Sequence, residues 1–192
     1  MSKVVMHNVV SVDGFIADDN DDIGPLFDWY FNGDQPLAEG GSFTVSQASA
    51  DYVLPLWGGI GAMVIGRRLF DLMNGWDGQP PTGDHVVVVS NRPRPEGWHP
   101  EAPYHFVSDV GGAVKKAEEL AGDRVVAVAA GDVGGQALAE GLVDEVGTPV
   151  VQDRPRLGRP TAPGPGRRAA ADGALEQDRS ADRPPRQHVL DG

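Results

Sequence analysis

The chain has 192 residues, a hydrophobic fraction of 40% and a formal net charge of -12 at pH 7. It is long enough for one domain with a sizeable core, and the absence of cysteine excludes disulfides and thiolate metal sites. The acidic charge argues against nucleic-acid partners, which require a basic face, and gives no support for binding to anionic membranes. With no apolar run near the roughly 20 residues of a membrane span and no signal-peptide pattern, we expect a soluble, cytoplasmic protein without a metal site.

Residues 1–146 alternate short apolar runs with amphipathic or loop segments. In chain order, the pattern predicts a strand at 3–10, a helix at 47–57, a strand at 62–65, a helix at 67–73, strands at 85–89 and 104–107, a helix at 109–121, a strand at 125–129, a helix at 134–140 and a strand at 142–146. Pro55 is expected to kink or shorten the first helix. Strands without polar alternation are typical of parallel sheets between helices, so the order predicts an α/β doubly wound domain.

The chain changes character after Val146. Residues 147–192 contain no aromatic residue, no isoleucine and no lysine, and Arg, Pro, Gly and Ala dominate them. The segment has neither helical nor strand periodicity, so it cannot build a core. We therefore predict a domain at 1–146 followed by a disordered tail at 147–192.

A glycine-rich turn, VAAGDVGGQ at 128–136, joins an apolar strand to a predicted helix. Such a turn lets the backbone approach a ligand closely, and the helix N-terminus offers free N–H groups to a phosphate. The alternative is that the glycines serve only tight packing. The spacing is not the G-x-G-x-x-G fingerprint, which disfavours a conventional Rossmann dehydrogenase.

Three arginines follow predicted strands: Arg67 and Arg68 come after one strand, and Arg92 after the next. The carboxyl ends of strands are where α/β sheets bind ligands. Guanidinium groups suit bidentate recognition of phosphate, so a 2′-phosphate is a natural target. Solvated surface arginines are the alternative for each one taken singly.

Four motifs occur in a fixed order: SVDGFIA at 11–17, VIGRRLF at 64–70, SNR at 90–92 and AAGDVGGQALAEGLVDEV at 129–146. As an ordered set they resemble the dihydrofolate-reductase-like superfamily, and most closely the reductase domain of riboflavin biosynthesis with its stand-alone bacterial relatives. LFDWYFNGD at 26–34 is similar to a subgroup of small members of that superfamily. The resemblance implies a three-layer, doubly wound, mostly parallel sheet that lacks its C-terminal strands here.

The resemblance also implies an enzyme that uses NADPH to reduce a small heterocycle, pterin-like or pyrimidine-like. The riboflavin-pathway 5-amino-6-(5-phosphoribosylamino)uracil reductase is the type, and a homodimer is compatible with it. By position, phosphates would be held by Gly66, Arg67 and Arg68, the adenosine 2′-phosphate by Ser90, Asn91 and Arg92, and the pyrophosphate by Gly131, Asp132, Val133, Gly134, Gly135 and Gln136.

Two aspartates are the candidates for catalysis. Asp51 lies within about one residue of the carboxylate that protonates the pterin in dihydrofolate reductases, and a buried carboxylate there could donate a proton through a raised pKa. An exposed residue in the first turn of the helix is the alternative. Asp13 would lie beside the nicotinamide and the substrate, shaping the loop more than moving protons, or would only form an Asp-Gly turn.

Other positions leave the substrate open. The riboflavin branch has an acidic residue where this chain has Ala129, and basic residues where this chain has none at 47–51. Trp29, Tyr30 and Phe31 could stack a planar heterocycle, or could belong to the core or to a dimer contact. A non-catalytic nucleotide-binding relative is therefore the alternative to a reductase.

The resemblance stops at Val146, in mid-strand. Relatives continue with a final hairpin rich in β-branched residues, which completes one edge of the sheet. The residues that dominate 147–192 have codons made of G and C, and a GC-rich gene read in the wrong frame yields that composition. Our hypothesis is a frameshift near Gly147 that leaves an inactive or marginally stable product; a natural disordered extension is the alternative.

Overall fold

Apolar parallel strands form the centre of the fold in the computed structural model, which describes residues 2–11, 14–18, 20, 23–37, 43–147, 150–151 and 158–160. The strands are β1 (Val4–His7), β2 (Val10–Ser11), β3 (Phe15–Asp18), β4 (Gln35–Pro36), β5 (Thr44–Val45), β6 (Ile60–Gly66), β7 (His85–Val89), β8 (Tyr104–Val107), β9 (Val125–Val128), β10 (Glu145–Gly147), β11 (Val150–Val151) and β12 (Gly158–Pro160). The helices are α1 (Gln47–Gly58), α2 (Arg67–Leu72), α3 (Val110–Ala121) and α4 (Asp132–Ala139), with 3-10 helices at Gly24–Phe31 and Asn74–Gly78.

Six of these strands form one sheet in the order β10-β1-β9-β6-β7-β8. All neighbouring pairs in it are parallel. The central strands are nearly all valine, alanine and isoleucine and are buried on both faces, as the uninterrupted apolar runs predict.

Helices cover both faces of this sheet. On one face, α3 and α4 pack against a cluster that includes Ala62, Val64 and Val126. On the other face, Phe70 of α2 packs with Ile65 and with the aromatic side chains that follow β7. Alternate residues of β6 thus point to opposite layers, and the predicted three-layer, doubly wound α/β class is confirmed.

Local sequence signals explain where the helices begin. The Asp109 side chain caps α3 by accepting a hydrogen bond from the Gly112 amide at 2.6 Å, and Ser46 caps α1 in the same way through Ser49. Pro55 lies inside α1, which continues for three residues beyond it. The expected shortening at that proline therefore does not occur.

Several boundaries differ from the predictions by one to three residues, and β6 begins at Ile60, two residues before its predicted start. The apolar run at 3–10 divides into β1 and the separate strand β2, with polar His7 and Asn8 at the division. Helix α4 begins at Asp132, two residues before the predicted start, because Gly131 already provides the turn. The last strand of the sheet is β10, which begins three residues later than predicted.

Two short strands come from the segment predicted to be a tail. β11 pairs parallel with β2, and β12 pairs antiparallel with β3. The described residues belong to one compact unit, Met1–Ala162. Residues 161–192 lie outside the described residues, so a disordered tail there stays a prediction.

Candidate functional site at the carboxyl edge of the sheet

The connections of the sheet diverge between β9 and β6, which are neighbours. After β6 the chain continues to β7 and β8 on one side, whereas after β9 it continues to β10 on the other side. Ligands of open α/β sheets bind at such a switch point, beyond the carboxyl ends of the strands. The fold therefore points to this edge before any side chain is considered.

Two glycine turns meet at the switch point. Gly66 ends β6, and a Cβ added to it would lie 3.2 Å from Cγ2 of Val133, in the first turn of α4. Gly131 joins β9 to α4 with φ +90° and ψ −148°, a region that is essentially reserved for glycine. The turn is also held from β1, because Asn8 Oδ1 accepts a hydrogen bond from the Ala130 amide at 2.8 Å.

Gly134 has a different role from Gly131. A Cβ on Gly134 would lie 2.7 Å from the Met6 sulfur and 2.8 Å from the Ala129 carbonyl oxygen. This buried glycine is therefore required for packing α4 against β1 and β9. Asp132 in the first turn adds a carboxylate that stabilises the helix dipole but opposes an anion at the same place.

Beside the glycine turns, an open groove of about 320 Å³ extends over the ends of β7 and β8. It brings together predicted site residues from the start of α2 and from the loop after β7, and its lining is Arg67, Val89, Ser90, Asn91, Arg92 and Ser108. Arg68, also predicted, is exposed on α2 and is not among the lining residues.

Arg67 is fixed at the floor of this groove. Its Nη1 donates to the Pro93 carbonyl oxygen at 3.0 Å, and its guanidinium carbon lies 5.4 Å from the centre of the Phe70 ring. The Ser90 hydroxyl accepts a hydrogen bond from the Arg92 amide at 3.0 Å and donates to the Arg92 carbonyl at 2.7 Å, which fixes the turn after β7. The groove therefore has a rigid cationic floor and a well-defined rim.

Asp71 connects the two arginines of the groove. Its Oδ1 accepts from Arg67 Nε at 2.7 Å, and its Oδ2 accepts from Arg92 Nη2 at 2.8 Å. The hydrogen bond from Arg67 is the main cause that lowers the pKa of Asp71, with Arg92 acting in the same direction. The carboxylate is therefore ionised at neutral pH.

A second polar pair, His7 and Tyr52, lies at the end of β1. The His7 Nε2 and Tyr52 hydroxyl are 3.2 Å apart, and the two rings have centroids 5.9 Å apart. Burial lowers the pKa of His7. Sequence reasoning missed this pair and Asn8, although the polar residues that interrupt the apolar run VVMHNVV could have indicated them.

Of the two predicted catalytic aspartates, the structure describes Asp51, which is not buried. Asp51 is exposed in the second turn of α1 and accepts a hydrogen bond from Gln47 Nε2 at 2.7 Å. Its exposed position near the start of the helix corresponds to the alternative interpretation of this residue, not to a buried proton donor. Asp13 lies outside the described residues.

The aromatic segment contributes mainly to a core. Trp29 and Tyr30 pack against the cluster of Leu37, Val45, Ala50 and Val53, and burial raises the pKa of Tyr30 to about 12. Phe31 is 64% exposed and contacts Phe43 at a ring-centroid distance of 5.7 Å. Of the three aromatic residues, Phe31 alone is exposed enough for a ligand or a partner.

The fold has a counterpart among solved structures. The chain is similar to a crystal structure from Shewanella sp. PV-4 named "Putative riboflavin biosynthesis protein", with a TM-score of 0.53 and 20% sequence identity. The match covers 80% of this chain and 78% of that chain. No protein-family model and no curated protein matches this chain.

Metal ligation and membrane spanning have no support among the described residues. Among them, no three His, Asp or Glu side chains cluster as metal ligands. No helix among those residues has the length and apolarity needed to cross a membrane.

Proposed function

We propose that this protein is an NADPH-dependent reductase of a small heterocycle, pterin-like or pyrimidine-like. The observation that carries the proposal is the groove beside the switch point, where Arg67 of α2 converges with Ser90 and Arg92 of the loop after β7. In a chain of net charge −12, two convergent guanidinium groups with a hydroxyl form a donor set that suits a phosphate monoester. A 2′-phosphate is the feature that separates NADPH from NADH.

The neighbouring turns fit the rest of the dinucleotide. β7 and β9 are two strands apart in the sheet, which is roughly 10 Å. Among the described residues, a Cβ on Gly131 would meet Ile16 alone, at 3.7 Å, so those residues leave the approach to this turn open. Gly131 and the first amides of α4 would hold the pyrophosphate, and the bound cofactor would supply the hydride.

His7 and Tyr52 would lie on the substrate side of the site. Both are at the carboxyl end of β1, beside the Ala130 turn that Asn8 fixes. A neutral imidazole next to a phenol can hold a polar edge of a heterocycle by donating and accepting hydrogen bonds. The pair would orient the substrate, and, with Asp51 exposed, the proton that the reduction consumes would come from solvent.

A more specific form of the proposal names the substrate of the riboflavin pathway, 5-amino-6-(5-phosphoribosylamino)uracil. Its support is the resemblance of the ordered motifs and the likeness in fold to the Shewanella protein. Ala129, which is buried, and the lack of basic residues at 47–51 argue against a phosphoribosyl pyrimidine. An unphosphorylated heterocycle fits these residues better.

The experiment is a titration of NADPH with the full chain, followed by cofactor fluorescence, and then NADPH oxidation with a panel of pterins and pyrimidines. Saturable binding with oxidation by one class of heterocycle is the expected result. Saturable binding without oxidation by any class would favour a nucleotide-binding protein without catalysis, an alternative that the exposure of Asp51 supports. Lack of NADPH binding would overturn the proposal.

A further inference from the structure

The ion pair between Asp71 and Arg92 lies at the rim of the groove that we assign to the 2′-phosphate. Asp71 is on α2, one turn after Arg67, and it reaches across to the loop that follows β7. Its side chain is 42% exposed, and that of Arg92 is 67% exposed. The carboxylate therefore already uses guanidinium donors that a phosphate at this place would need.

Arg67 does not depend on Asp71 for its position. Besides the carboxylate, it contacts the Pro93 carbonyl at 3.0 Å and the rings of Phe70 and Phe106, and its side chain is only 16% exposed. Loss of Asp71 would leave these contacts in place. Arg67 is thus a fixed cation.

Arg92 is held differently. Its backbone is fixed by Ser90, but the described contact of its guanidinium is the one with Asp71 at 2.8 Å. An arginine in a solvent-exposed ion pair can exchange partners at little cost, since such pairs contribute little stability. Arg92 can therefore turn from the carboxylate to an incoming phosphate while its backbone stays in place.

Charge determines the direction of the effect. A phosphate monoester carries about −1.5 to −2 charges at pH 7 and would be repelled by Asp71 a few ångströms away. A 2′-hydroxyl is neutral and can donate a hydrogen bond to the same carboxylate. Asp71 thus weakens the binding of NADPH, which carries the 2′-phosphate, and does not weaken the binding of NADH.

We propose that Asp71 is a specificity-determining residue: it holds Arg92 when the groove is empty and limits the preference for a 2′-phosphate over a 2′-hydroxyl. The proposal rests on the function proposed above. It differs from a purely orienting role of Asp71, in which both arginines would need the carboxylate to face the phosphate.

The test is the pair of dissociation constants for NADPH and NADH, measured by fluorescence with the full wild-type chain and with Asp71→Asn. The variant is expected to bind NADPH about tenfold more tightly, from loss of one like charge near the phosphate, and NADH equally or more weakly. Asp84→Asn is the matched control, because Asp84 pairs with Arg124 at the amino ends of β7 and β9, away from the groove. This variant should leave both dissociation constants unchanged.

The outcomes separate the two proposals. If the wild-type chain binds NADPH but Asp71→Asn binds it more weakly, or with an unchanged ratio to NADH, the role of Asp71 is overturned and the proposed function is not. If neither wild-type chain nor variant binds NADPH, both proposals are overturned together. Adding 0.5 M salt should shrink the gain in the variant, because the repulsion is exposed to solvent.

Discussion

At the scale of single residues, the polar groups of the groove differ in how firmly they are held. Arg67 and Ser90 are anchored by several contacts each, whereas Arg92 and Asp71 are exposed at the rim. Sequence reasoning could place Arg67, Ser90 and Arg92 at one site, since all follow parallel strands. It could not place His7 against Tyr52, because that contact depends on how α1 crosses the end of β1, 45 residues away in the chain.

The buried imidazoles should make stability sensitive to acid. Burial is the main cause that lowers the pKa of His7 and of His105, so the folded chain takes up these protons less readily than the unfolded chain. The free energy of unfolding should therefore fall as the pH drops through about 6.5 toward the folded pKa values, and should be insensitive to these groups well above it. Urea midpoints between pH 8 and 5.5 measure this, and His7→Gln should reduce the slope. An NMR titration of His7 with a pKa at or above 6.5 would refute this explanation.

At the scale of secondary-structure elements, the apolar strands were the most predictable part. The predicted boundaries of β7 and β8 agree with the structure, because uninterrupted valine-rich runs have few alternatives to a buried strand. The hairpin of β4 with β5 and the 3-10 helix Gly24–Phe31 were not predicted, since two-residue strands and short mixed segments lack a readable period. Burial of the Trp29 and Tyr30 side chains follows from that helix and could not be derived without it.

The glycines of α4 should separate packing from ligand approach. Gly134→Ala should destabilise the fold by about 1–3 kcal/mol, the usual cost of overpacking, because its Cβ would meet the Met6 sulfur and the Ala129 carbonyl. Gly58→Ala is the matched control near the end of α1: no described residue lies within 4 Å of its Cβ, and stability should rise or stay level. Thermal unfolding compares the two. If the two substitutions changed the melting temperature equally, Gly134 would not be required for packing. Contact with the cofactor would then be the remaining role of Gly134.

Gly131 should instead affect both stability and binding. Gly131→Ala places a Cβ at φ +90°, which should cost about 1–2 kcal/mol of stability and weaken NADPH binding by altering the turn. Gly122→Ala has a similar backbone cost at φ +64°, at the C-terminal end of α3 and away from the switch point, and no described residue lies within 4 Å of its Cβ. NADPH titration at a temperature where both variants are folded distinguishes them. A loss of affinity in both would show that the effect is one of stability alone.

At the scale of the whole molecule, one edge of the sheet is the unusual feature. In the described part of the chain, β10 pairs with β1 and with no strand on its outer side, and Val146 is 47% exposed. An unpaired edge exposes N–H and C=O groups and favours aggregation. Each large apolar side chain left uncovered forfeits roughly 1.5–3 kcal/mol, against a total stability of about 5–15 kcal/mol.

The frameshift hypothesis predicts what should cover this edge. Translation of the underlying DNA in the two other frames beyond Val146 should yield a valine-rich strand, a glycine turn and a terminal hairpin. The chain with that frame restored should melt at a higher temperature and aggregate less than the chain of 192 residues. If neither frame encodes such a hairpin, the frameshift hypothesis is wrong. If the 192-residue chain already melts cooperatively and oxidises NADPH, the further strands are not needed for its stability or activity.

The proposed preference for NADPH follows from recognition of a 2′-phosphate by the groove beside β7. This recognition is tested most directly by the ratio of NADPH to NADH affinity in Arg92→Ala. Arg124→Ala is the control, because it removes the same charge at the amino end of β9, away from the groove. Loss of one charge-assisted contact should weaken NADPH binding by roughly 1–3 kcal/mol in the Arg92 variant, with NADH binding nearly unchanged. The Arg124 variant should bind both cofactors as the wild-type chain does. An equal loss for both cofactors in Arg92→Ala, or the same loss in both variants, would contradict the assignment.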